Sequence, residues 1–162
     1  MKTAIVYYSM LGNTDYVAQK ISPVLNADII RIEPENAYPD KGFKKFFWGG
    51  KSAVMGDMPA LLPYTFDAEK YDRIIFGTPI WAGTFAPPLK TFLADNKELL
   101  KDKKIAVFTS SSGGGSAKAI DKLKKLIEVD NVETILHVID PKDRPSEENE
   151  RKIADFCDSF LK

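Results

Sequence analysis

The chain has 162 residues, 44% apolar and 28% charged, values that suit one soluble globular domain over residues 1–162. Its 23 Lys and Arg balance 23 Asp and Glu, so charge argues for neither a nucleic-acid reader nor a membrane-surface protein. No apolar run approaches the ~20 residues that cross a bilayer, the start lacks a signal peptide's apolar core, and the single Cys157 forms no intrachain disulfide; a cytoplasmic protein is expected.

Thr3–Tyr8 reads as a first strand, followed by Ser9-Met10-Leu11-Gly12-Asn13-Thr14. A helix is expected from about Asn13, because Asn13, Thr14 and Asp15 are capping types, with Val17, Ile21, Val24 and Leu25 on one face. The N–H groups and dipole at such a helix start attract an anion. Gly12 permits close backbone approach, and Ser9, Asn13 and Thr14 add donors. No Lys or Arg lies between Thr3 and Tyr16, so a phosphate here would be held by neutral donors. A plain capped turn fits the same spacing. The triphosphatase P-loop motif has only a false tail, Gly50-Lys51-Ser52, and no G-x-G-x-x-G follows the first strand.

Asp28–Ile32 is the second strand. The 34 residues of Glu33–Phe66 then carry four prolines and four glycines, too long for a plain connection, with a short helix expected near Phe43–Met55. Phe46, Phe47 and Trp48 within it have three readings. They are core, a ligand edge or dimer contact, or a membrane patch with Lys44, Lys45 and Lys51. Asp72–Gly77 is the third strand. Its following loop, from Thr78 to Pro88, holds Trp81, either a core ring or one stacked on a planar ligand. A helix starts near Pro88, with Leu89, Phe92 and Leu93 on one face.

Lys104–Thr109, the fourth strand, leads into Ser110-Ser111-Ser112-Gly113-Gly114-Gly115-Ser116. That loop is a solvated linker or a donor-rich ligand rim. A helix follows, with Ile120, Leu123 and Ile127 aligned. Val132–Ile139 is the fifth strand and carries His137, the only histidine. With no Cys or second His beside it, His137 is assigned a structural or surface role and no metal site is expected. Asp140–Pro145 reads as a loop, and the 147–151 run as the solvated first turn of a last helix. Ile153, Phe156, Cys157, Phe160 and Leu161 share that helix's inner face, which makes Cys157 core.

Strand and helix alternate, so the fold class is α/β: an open, doubly wound, five-stranded parallel sheet of order 2-1-3-4-5. In that architecture ligands sit beyond the carboxyl ends of the strands, after Tyr8, Gly77 and Thr109. Neutral donors for one phosphate, an aromatic wall and polar backbone fit a mononucleotide better than a dinucleotide.

With these motifs in order, the chain resembles the flavodoxin-like family of FMN-binding proteins, whose first loop runs [ST]-x-[ST]-G-N-T. Leu11 stands where that pattern has a hydroxyl. Residues 77–93 look like the family's second flavin loop, and the strand order agrees over almost the whole chain. The resemblance implies a flavodoxin-like three-layer sandwich and noncovalent FMN. The phosphate would lie on Ser9, Met10, Leu11, Gly12, Asn13 and Thr14. The isoalloxazine would lie between Thr78, Pro79, Ile80, Trp81, Ala82 and Gly83 on one side and Ser110, Ser111, Ser112, Gly113 and Gly114 on the other. Backbone groups at Trp81, Ala82 and Gly83 would tune the flavin potential, and no side chain need act as catalytic acid, base or nucleophile.

Two departures bear on function: the net charge is zero where electron-carrier flavodoxins are acidic, and Ser110–Ser116 lacks an aromatic residue. The leading expectation is electron transfer between redox proteins. The alternative is an NAD(P)H-dependent FMN or quinone reductase that uses an opened flavin face and a small acceptor, and a third is a non-redox interaction module of the same fold. Either a monomer or a homodimer is compatible. The block at 42–56 resembles a segment of uncharacterised bacterial flavodoxin-like proteins.

Overall fold

Along the first strand, Ala4, Val6 and Tyr8 point into one core and Ile5 and Tyr7 into another, all almost fully buried. A strand covered on both faces needs apolar residues at every position, which is why it reads as an unbroken run. The computed structural model describes residues 1–39 and 41–161, apart from the side chains of 42–47.

The elements in chain order are β1 (Thr3–Tyr7), α1 (Asn13–Leu25), β2 (Asp28–Arg31), α2 (Gly42–Met55), β3 (Arg73–Trp81), β4 (Thr84–Phe85), α3 (Pro87–Leu100), β5 (Lys104–Ser111), α4 (Ser116–Ile127), β6 (Ile135–Ile139) and α5 (Glu147–Asp158). The parallel strands run β2-β1-β3-β5-β6, which is the expected 2-1-3-4-5 order once the two-residue β4 is set aside. Val17, Ala18 and Ile21 of α1 share one core with Ile153, Phe156 and Cys157 of α5. Leu89, Phe92 and Leu93 of α3 share the other with Ile120, Leu123 and Ile127 of α4. Among the described residues no helix is long and apolar enough to cross a membrane.

Register brings the three predicted loops together. Tyr7 pairs with Gly77, and Gly77 with Phe108, so β1, β3 and β5 reach one edge side by side. Gly77 is required there, since a Cβ would stand 2.2 Å from Phe108 Cζ. β3 does not stop at Gly77 as expected. Thr78 and Pro79 still pair with Thr109 and Ser110, and the chain turns back only after Trp81. Ala82 (φ 49°) and Gly83 (φ 71°) form the turn, both left-handed, a geometry that matches the twist of a hairpin. What reads as a loop from Thr78 is therefore strand plus hairpin.

The long segment after β2 is zipped at its ends: Leu62 N donates to Glu33 O (2.8 Å) and Glu35 N to Ala60 O (2.8 Å). Thr91 Oγ1 of α3 donates to Pro59 O (2.8 Å), and Tyr38, Leu61, Tyr64 and Phe66 pack on the core. This insertion carries α2 to the edge where β1, β3 and β5 end.

Candidate functional site

A cavity of about 380 Å³ opens where β1, β3 and β5 end. Residues 9–14, 78–83 and 110–114 all line it except Gly12 and Thr78, and Gly50 and Asp140 join them. Thr78 is buried because it holds the root of the hairpin: Oγ1 accepts from Ala86 N (2.9 Å) and donates to Pro79 O (2.9 Å). Gly12 caps α1 with a left-handed φ of 97°.

Hydroxyls brace the first loop from within. Ser9 Oγ accepts from Gly12 N (3.1 Å), and the buried hydroxyls of Thr14 and Ser110 bond each other (2.8 Å), joining the first and third loops. The expected side-chain cap of α1 does not form. Asn13 is drawn away: its Oδ1 accepts from Lys142 N (2.9 Å) and Asp143 N (3.3 Å), while Nδ2 donates to Asp143 Oδ2 (2.8 Å). Asp15 instead accepts from the Tyr7 hydroxyl. The start of α1 therefore has no side-chain cap among the described residues, an arrangement that suits an anion.

Two cations reach this loop from elsewhere in the chain. Lys142 Nζ donates to Leu11 O (3.1 Å) and stands 2.9 Å from where a Gly12 Cβ would be. Arg31 Nη2 donates to Ser9 O (3.2 Å). The local run is free of cations, but the folded loop is not served by neutral groups alone.

Trp81 forms the aromatic wall. Its ring meets Tyr8 edge-on at 5.8 Å and Tyr38 at 5.1 Å, and Gly49 of α2 lies close enough that a Cβ there would be 3.3 Å from it. Burial raises the Tyr8 and Tyr38 phenols above their ordinary range. Trp81 packs against the core on one side and lines the cavity on the other. Trp48 is exposed, with Lys51 Nζ 5.3 Å from its ring centre; the side chains of Phe46 and Phe47 lie outside the described residues.

His137 and the turn after β6 hold the third loop. His137 Nε2 lies 3.1 Å from Gly113 O and Nδ1 2.9 Å from Thr109 Oγ1, so the ring ties the third loop to the end of β5. Asp140 N donates to Ser111 O (3.0 Å), Asp140 Oδ1 accepts from Ser112 Oγ (3.0 Å), and Arg144 Nε donates to Asp140 Oδ2 (2.9 Å). One five-residue turn, 140–144, thus grips both the first and the third loop. Sequence reasoning missed it, because a Pro- and charge-containing turn gives no local sign of what it touches.

A family model described as Flavodoxin matches residues 2–137. Among solved structures, a flavoprotein from Lactobacillus acidophilus NCFM in complex with FMN superposes with a TM-score of 0.73 at 25% identity, covering 88% of this chain and 95% of that one. Oxidised Flavodoxin 1 from Bacillus cereus gives 0.61 at 23% identity, covering 99% and 97%. Two-electron reduced Megasphaera elsdenii flavodoxin gives 0.57 at 20%, covering 98% of each. Since the family match runs from the start of β1 into β6 and takes in every loop that lines the cavity except the 140–144 turn, the chain belongs to the flavodoxin family.

Proposed function

We propose that this protein binds FMN noncovalently in the cavity and carries electrons between redox proteins. The observation that carries the reading is the meeting of a helix start without a side-chain cap and an aromatic wall at one cavity of about 380 Å³, with Lys142 bonded to the carbonyl of Leu11 in its lining. Family membership supports it, as does the L. acidophilus flavoprotein, which is solved in complex with FMN. Residues 9–14 take the phosphate, with Lys142 offsetting its charge. The ring system lies against Trp81, between 78–83 and 110–114. FMN supplies one- and two-electron redox chemistry. The chain binds and orients it, and backbone groups of the Ala82–Gly83 turn set its potential.

The third loop favours a second reading. Gly113 and Gly114 are exposed, with no atom within 4 Å of the Cβ position at either, and the loop has no ring to cover a flavin. Such an open rim leaves room for a nicotinamide or a small acceptor, the setting of an NAD(P)H-dependent reductase. Purified protein saturated with FMN separates the readings. Bleaching of the flavin band by NAD(P)H, with reoxidation by a quinone, marks the reductase. Bleaching only by a redox protein or dithionite marks the carrier, and failure to bind FMN overturns both.

A further inference from the structure

Lys118, Lys122 and Lys125 recur on α4 at spacings of four and three, which sets them in one row about 10 Å long. All three are exposed, and among the described residues none makes an ion pair. The row begins at the rim of the cavity, where Lys118 Cδ lies 3.5 Å from the Cβ position of Gly83. Lys122 and Lys125 go on to line a second groove, of about 410 Å³, together with Lys90. Lys90 Nζ donates to Gly56 O (2.6 Å) and so ties α3 to the end of α2. Asp57 is the one carboxylate among the described residues that line this groove.

Ala53 and Val54 at the end of α2 also line the groove, beside Gly56 and Asp57. Val54 and the next residue, Met55, are 69% and 68% exposed, and Met58, just past the end of the helix, is exposed too. Like the lysine row, α2 reaches the cavity, through Gly50. A chain of zero net charge has therefore gathered unpaired positive charge and exposed apolar side chains on one face, beside the opening where electrons would leave. A small anion would engage the lysines alone. Covering Val54 and Met55 as well takes a macromolecular surface, apolar at its centre and charged at its edge.

We propose that this face docks an acidic electron-transfer protein. The lysines draw in its carboxylates, and Val54 and Met55 meet an apolar patch beside its redox centre. Attraction of this kind raises the association rate and weakens with salt. That the partner is a redox protein rests on the carrier reading above; its acidity rests on the lysine row.

The test titrates ¹⁵N-labelled, FMN-loaded protein with an acidic plant-type [2Fe–2S] ferredoxin and follows the amide shifts. Shifts are expected on α4, on residues 54–58 and at Gly83, with affinity falling about tenfold from about 20 to about 300 mM salt. The K118E/K122E/K125E variant should bind about tenfold more weakly, the single K122E variant less so, and quenching of FMN fluorescence should be unchanged in both. Absence of shifts, shifts elsewhere, unaltered affinity in the triple variant, or binding of the basic protein cytochrome c to the same face overturns the proposal. So does a response of these amides to NADPH but not to ferredoxin, which makes the row a small-anion site. If FMN does not bind but ferredoxin still shifts this face in the apo protein, the carrier reading falls and the acidic-partner surface stands.

Discussion

Lys142 reaches Leu11 O from 131 positions further along the chain and stands over Gly12. In the proposed binding mode its charge acts on the phosphate and on little else of the flavin. Lys142→Ala is expected to weaken FMN binding about tenfold and leave riboflavin, which has no phosphate, unaffected. Fluorescence titrations of both flavins check this, and the FMN loss should shrink as salt rises. Equal losses for both flavins would assign Lys142 to packing instead. Gly77 gives a second test at this scale. Its missing Cβ leaves room for the buried Phe108 ring, so Gly77→Ala should cost about 2–3 kcal/mol, read as a lower urea midpoint at unchanged slope. Residues 9–14 and 110–114 were legible because a glycine or hydroxyl after an apolar run is a local pattern. Lys142, His137 and Asp140 were not, because each acts on a loop at least 24 positions away.

Local pattern and tertiary pairing compete most openly in the elements. Gly77, Thr78 and Pro79 look like a turn, yet β5 continues alongside them and pairing keeps β3 extended to Trp81. Asn13 looks like a cap, but the backbone N–H groups of the 140–144 turn claim its side chain. The segment before β6 shows the same rule through charge. Arg73, at the start of β3, donates through Nε and Nη2 to the two carboxylate oxygens of Glu133, at 2.5 and 3.1 Å. That guanidinium holds the Glu133 carboxyl below the usual glutamate range. A carboxylate with a lowered folded pKa stabilises fully above the ordinary glutamate pKa and loses that contribution progressively as pH falls through the lowered folded value. Glu133→Gln should therefore cost about 2 kcal/mol at neutral pH and less in acid, where pH has fallen through the lowered folded value. Urea unfolding at neutral and acid pH checks it; a gap that persists unchanged in acid would mean the loss is not ionic.

At the scale of the whole molecule, the cavity exists because three loops far apart in sequence end in register. A ligand spanning them binds only the folded chain. Free FMN at about a hundred times its Kd should raise the unfolding free energy by about 2.7 kcal/mol, seen as a shift of the urea midpoint between apo and loaded protein. A midpoint indifferent to FMN would place the flavin on a surface that survives unfolding. The balanced charge of the chain also divides at this scale: Lys118, Lys122 and Lys125, without an ion pair among the described residues, run from the cavity rim into the second groove.

The sequence by itself determined the alternation of strand and helix, the strand order, the edge where the cavity opens and most of the residues lining it. These follow from side-chain periodicity and turn chemistry, which act over a few residues. Only the tertiary structure decided that Arg31 and Lys142 serve the first loop, that the second loop is a hairpin, that His137 and Asp140 hold the third, and that the lysine row borders the opening. Each of these depends on which distant segments the sheet brings within bonding distance, and a linear pattern carries no record of that.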